Sequence, residues 1–248
     1  MPGLRFLFQD MLDEVREFAA LANDLIAPGS KGVLPQFGKN LEGYRNANTK
    51  DAFDWEIPES NPLSTIGTRG YEPGGGGTRY LIGEITAKWR IRREPSAKKS
   101  MPAKYFAVVG LASTRIRLRC VGLDGEPSEQ IAMWRMEVGD VKGPGCFFHS
   151  QILGESAEFP FPNSLPVPRL PIIMMTPAAV AEFVFAELFQ DRWVPHTSVQ
   201  VPHLNRWTSI QKDRFIRLLN WKIQRVTNTL GSPWSSLKAG QPDEDLFV

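Results

Sequence analysis

With 248 residues, 42 % hydrophobic and 23 % charged, the chain has the make-up of an ordinary globular protein able to bury a substantial core, which excludes a disordered or fibrous polymer. A formal net charge of +2 gives no global basic excess, so any affinity for polyanions has to come from local arrangement. Two cysteines, no secretory-signal pattern and no apolar run near the roughly 20 residues of a helical membrane span exclude a disulfide framework and a membrane helix, and a cytoplasmic protein is expected.

The chain opens with an amphipathic pattern from Leu4 to Ile26, in which Leu4, Phe8, Met11, Val15, Phe18, Ala22 and Leu25 recur at helical spacing. Asp10, Asp13, Glu14 and Glu17 lie mostly off that stripe and form an acidic face, a candidate cover for basic surface elsewhere. Pro28-Gly29 stops the helix. Residues 27–78 show neither period and are rich in Gly, Asn, Pro and Ser, so a long irregular segment is expected. Phe37, Tyr44, Phe53, Trp55 and Tyr71 anchor it to its own core or to a partner. Gly74 to Gly77 lacks the Gly-Lys-Ser/Thr ending of a phosphate loop.

Residues 79–153 read as a four-stranded antiparallel meander with one apolar and one basic face, because successive side chains of a strand point to opposite sides. In the first strand Leu81, Ile85, Ala87, Trp89 and Ile91 face one way, while Glu84, Lys88, Arg90 and Arg92 face the other. In the second, Phe106, Val108, Ala112, Ile116, Leu118 and Cys120 oppose Arg115, Arg117 and Arg119. The third sets Ala132, Trp134, Met136 and Val138 against Arg135 and Glu137. Cys146 to Leu153 is the fourth. A polar loop carrying Lys98 and Lys99, an Asp124-Gly125 turn and the segment Val141 to Gly145 join them. The outward face sums to seven basic residues against Glu84 and Glu137. Such a face needs a partner, either an acidic element of the same chain, solvent, or an external polyanion such as nucleic acid.

A proline-rich crossing follows over 159–176, and two helices occupy 177–230. Thr176-Pro177 is the N-cap and first position of a helix that is apolar almost all round, hence buried in the core or in a subunit interface. The second begins at Thr208, with Gln211 at capping-box spacing and with Ile216, Leu219, Ile223, Val226 and Leu230 as its core stripe. Arg214, Arg217, Trp221 and Arg225 line its other side. That set suits phosphate gripping and base stacking, a protein interface, or a surface where arginine stems cover the indole. Residues 231–248 are expected as a mobile tail.

No metal-ligand spacing, cofactor fingerprint or nucleophile motif occurs among the three histidines and two cysteines. The expectation is one α+β domain over 1–230, with an N-terminal helix, the meander and two C-terminal helices. Its expected role is that of a non-catalytic subunit binding a protein partner or another copy of itself, and contacting nucleic acid through Lys88, Arg90, Arg92, Arg115, Arg117, Arg119, Arg135, Arg214, Arg217, Trp221 and Arg225. Two alternatives stand beside it. One is a nuclease or phosphodiesterase using His149 as general base with Glu84 or Glu137. The other is an assembly subunit that touches no nucleic acid.

Overall fold

The computed structural model describes residues 4–47, 49–71, 79–95, 101–122, 127–138, 146–153, 169–173, 176–199, 202–238 and 241–248. The Lys98-Lys99 loop, the Gly74 to Gly77 run, the Asp124-Gly125 turn, the Val141 to Gly145 segment and most of the proline-rich crossing lie outside them. The fold is α+β, and no described helix is long and apolar enough to cross a membrane. Its four central strands are β4 (Leu81–Arg93), β5 (Tyr105–Val121), β6 (Pro127–Val138) and β7 (Phe148–Leu153), consecutive antiparallel neighbours as the alternation predicts.

The sheet nevertheless has eight strands, not four. β2 (Phe53–Ile57) and β3 (Leu63–Ser64) share the outer edge of β4, and β8 (Arg169–Pro171) extends the sheet beyond β7. β1 (Arg5–Leu7) pairs with the start of β5, in place of the first turn of the N-terminal helix. Beside this pairing the β4–β5 register shifts at a bulge: Trp89 to Ile91 on β4 faces Ala112 to Val108 on β5, two steps against four. Gly110 sits in the bulge, where a Cβ would come within 3.1 Å of the Arg90 stem.

The segment 27–78 is largely ordered. It holds α2 (Val33–Asn46) besides β2 and β3. Pro35, Gly38, Gly43 and six polar residues surround the apolar stripe of α2, and Val33, Leu34, Phe37, Leu41 and Tyr44, which recur at helical spacing, are all buried. The aromatics belong to the chain's own core: Phe37 stacks on Trp55 at 4.0 Å, and the Trp55 indole donates to the Phe37 carbonyl at 2.9 Å. Tyr44 stacks on Phe53 in the same way.

On the apolar face of the sheet lie α1 (Phe8–Ala22) and α3 (Pro177–Leu188). Thr176 caps α3, its hydroxyl accepting from the Ala179 amide, and Val180, Val184, Phe185 and Leu188 are buried as predicted. α3 seats so closely on β4 that a Cβ at Gly83 would fall 2.6 Å from Val184 Cγ1. Among the described residues the C-terminal region holds four helices rather than two: α3, the short α4 (Gln190–His196), α5 (Pro202–Thr227) and α6 (Pro233–Lys238). α5 starts at Pro202, a turn and a half before Thr208, since proline suits a first helical position. Where a mobile tail is expected, Phe247 is buried and stacks on Phe6, and Arg5 binds Asp245.

Candidate interaction surfaces

The basic sheet face forms as the alternation demands, and the fold itself supplies much of the opposing charge. β2 places Asp54 opposite Arg90 and Glu56 opposite Lys88. Arg90 reaches Asp54 at 2.8 Å, and Lys88 lies 3.5 Å from Asp54 and 4.0 Å from Glu56. Arg115 and Arg135 stand directly across from each other, an arrangement that repels unless each side chain is drawn elsewhere. Arg115 turns to Glu59 in the turn after β2. Arg135 turns to Glu137 at 3.0 Å and to Gln151 at 2.7 Å. Arg117 pairs with Glu84 at 3.5 Å. Arg92 is exposed and makes no ion pair among the described residues, and Arg119 shares the face near the end of β5. The cover is therefore β2, its turn and the sheet's own carboxylates, and not the acidic face of α1.

His149 and Glu137 are brought together, being opposite one another on β7 and β6 with Nε2 and Oε2 3.5 Å apart. Glu84 is not: it lies on β4, and two strands separate it from His149. The buried His149 ring also has Nδ1 2.9 Å from the Cys146 carbonyl, so both nitrogens are engaged inside the fold. Burial pushes the Glu137 carboxyl up, but the His149 hydrogen bond, the Arg135 charge and the Ser113 hydroxyl together hold it below the usual carboxylate range. The geometry is that of a buried cross-strand tie between β6 and β7. Among the described residues no three His, Cys, Asp or Glu side chains are placed to hold a metal.

The acidic face of α1 meets α5 instead. Asp10, Asp13, Glu14 and Glu17 recur at spacings of three, one and three, and α5 returns a matching set at similar spacing. Arg206 donates to Asp13 at 2.9 Å and to Asp10 at 2.8 Å, and His203 pairs with Glu17. Glu14 is wholly buried. Its carboxylate accepts from Arg214 at 2.6 Å, from Gln211 at 2.7 Å and from the Thr176 hydroxyl. Gln211, predicted as part of a capping box, spends its amide here. Glu182 of α3 lies close enough to feel the Glu14 charge. Burial, with that charge adding to it, raises the Glu182 carboxyl above its ordinary value even though the Trp207 and Trp193 side chains hydrogen-bond to it.

These contacts rotate α5 so that its two long faces exchange the places expected of them. Trp207, Ile210, Gln211 and Leu218 are buried, and Arg214 is nearly so. Arg217 binds Asp213 and the Val248 carbonyl, and Trp221 packs edge-on against Phe148. Ile216, Leu219, Ile223, Val226 and Leu230, the predicted core stripe, are all exposed. Only toward its end does the Arg/Trp side open, where Trp221, Gln224, Arg225, Asn228, Ser235 and Gln241 line a groove of about 650 Å³. The inversion has no marker in α5 alone, because its sign depends on four carboxylates some 200 residues upstream.

No family model, curated protein or solved structure matches this chain, so its function is argued from its own geometry.

The raised Glu182 carboxyl gives a pH prediction. The folded state keeps this proton to higher pH than the unfolded chain does, so its contribution to stability is complete below the ordinary carboxylate range and is lost as pH rises through the raised value. Glu182→Gln should remove that slope in urea unfolding and leave the variant more stable than the wild type at neutral pH. A destabilised variant with the slope intact would mean that the charge itself holds the two indoles.

Proposed function

We propose that the protein is an assembly subunit that docks a partner helix along the outer face of α5. One observation carries this reading. Four large apolar side chains, Ile216, Leu219, Ile223 and Val226, at spacings of three, four and three stand exposed on α5, while Gln211 and Arg214 are turned into the fold. Isolated exposed apolar residues are normal, whereas a contiguous stripe of them marks an interaction site. The spacing is that of a coiled-coil seam, which takes another helix with the same repeat. Leu219→Glu with Ile223→Glu should leave the circular dichroism and melting temperature unchanged, since both side chains point to solvent. In size-exclusion chromatography of extracts from producing cells, the wild type should elute well above its 27.8 kDa and the double variant at the monomer position. A wild type that itself elutes as a monomer would contradict the proposal.

The groove at the end of α5 favours a second reading, contact with nucleic acid. It gathers an indole, a guanidinium and several amides in one opening, a combination that stacks a base and meets its phosphate. The sheet arginines support this less, because most are matched by carboxylates. The reading predicts that labelled single-stranded RNA or DNA binds, that binding weakens steeply with salt, and that Arg225→Gln lowers affinity about tenfold. The triple change Arg115→Glu, Arg117→Glu, Arg119→Glu should lower it less. Absence of wild-type binding at low salt would dismiss it.

A further inference from the structure

We infer that the seat filled by residues 241–248 is a peptide-binding site, and that it takes a partner-protein segment in which an acidic residue stands two positions before an aromatic one. The residues of α5 that border this seat, Arg214, Arg217 and Trp221, lie on the other side of the helix from Ile216, Leu219, Ile223 and Val226. The inference is therefore independent of the docking reading.

The chain's own tail displays the chemistry that the seat accepts. Residues 241–248 form neither helix nor strand, and only Pro242 and Phe247 among them are buried. Phe247 lies face to face on Phe6 with ring centroids 5.3 Å apart, and Phe148 closes the seat at 6.5 Å. Two positions earlier, Asp245 receives the Arg5 guanidinium, and the Arg5 amide donates to the Glu244 carbonyl at 2.8 Å. Arg217 donates to the Val248 carbonyl at 2.7 Å. One ring in an aromatic pocket, one charge clamp and two bonds to the main chain form the contact set of a bound peptide.

The hold is local, and the seat is larger than its occupant. The Asp245 side chain is 57 % exposed, so its ion pair adds little. A segment anchored by a single aromatic ring opens at a lower free energy than the sheet beneath it. Beside the Phe247 ring a cavity of about 10 Å³ stays open among Phe6, Thr176, Gln211, Arg214 and Phe215. On the other side, Phe148 meets Trp221 with centroids 5.8 Å apart, and Trp221 lines the groove of about 650 Å³ that Gln241 and Asp243 border. A partner segment that keeps the acidic and aromatic pair and runs on into this groove fills space that the tail leaves open. Such a difference in contacts is what lets one occupant displace another.

The test uses the full-length chain and a labelled peptide of the sequence Gln241 to Val248, followed by fluorescence anisotropy. In the wild type the tethered tail competes at high effective concentration. The peptide should therefore bind the wild type at least about tenfold more weakly than Asp245→Ala/Phe247→Ala, whose own tail no longer holds the seat. The same peptide carrying Phe247→Ala should not bind, and Arg5→Gln added to the double variant should lower affinity. Failure of the folded double variant to bind, or equal binding to the wild type, would overturn the inference. A second readout needs no substitution: in the wild type the Arg5 amide, which donates to Glu244, should exchange with solvent through local opening, at a rate unchanged by low concentrations of denaturant. Protection equal to that of amides at the centre of β5 would make the tail part of the core and overturn the inference. A purified wild-type dimer that the double variant loses would assign the seat to the tail of a second copy and overturn the partner assignment.

Discussion

The arrangement of the C-terminal half depends on one buried ion pair, Glu14 with Arg214. A carboxylate removed from water is tolerable only when its oxygens are satisfied, and Glu14 recruits three donors from two elements: Arg214 and Gln211 of α5, and Thr176 at the cap of α3. α5 is fixed in rotation by this requirement. Arg206 on Asp10 and Asp13, and His203 on Glu17, repeat the match along the helix. The polar side of α5 is turned inward, and the apolar side is left to water or to another protein. The docking proposal descends from that rotation.

The sheet solves an analogous problem by different means. Alternation forces Arg115, Arg117 and Arg119 onto one face, and the antiparallel register then sets Arg115 against Arg135. The fold relieves the repulsion by adding an acidic edge strand and its turn, so that Asp54, Glu56 and Glu59 meet arginines and lysine that the meander alone leaves unmatched. What looks in sequence like a surface awaiting a polyanion is in large part a surface already compensated from within. The same logic places His149: it is the neighbour that Glu137 uses on β7, and its burial follows from that role.

Much of this was legible in the sequence, and the failures share a cause. The period-two runs of β4 and β5 predict which residues are buried because strand facing is a local property, and the Thr176-Pro177 cap predicts where α3 starts for the same reason. The bridging strands β1, β3 and β8 are only two or three residues long, too short for any period to show, and their pairing is decided by β5, β4 and β7. Val33, Leu34, Phe37, Leu41 and Tyr44 of α2 do recur at helical spacing, and what obscures that stripe is Pro35, Gly38, Gly43 and the low helix propensity of the surrounding segment. The facing of α5 departs from the expectation because the rule that apolar stripes go inward fails when a buried carboxylate claims the polar stripe. Burial of Phe247 at the end of a charged tail likewise depends on a ring, Phe6, that lies at the other end of the chain.

The facing of α5 rests on the Glu14–Arg214 pair, and a double-mutant cycle in urea unfolding tests that directly, using Glu14→Gln, Arg214→Met and the two combined. Each single change leaves the other group buried and unpaired, so the account predicts a coupling of about 2 kcal/mol, with the double variant less destabilised than the sum of the singles. Strictly additive effects would contradict it, since they would show that Glu14 and Arg214 do not meet and that α5 presents a different face to the core.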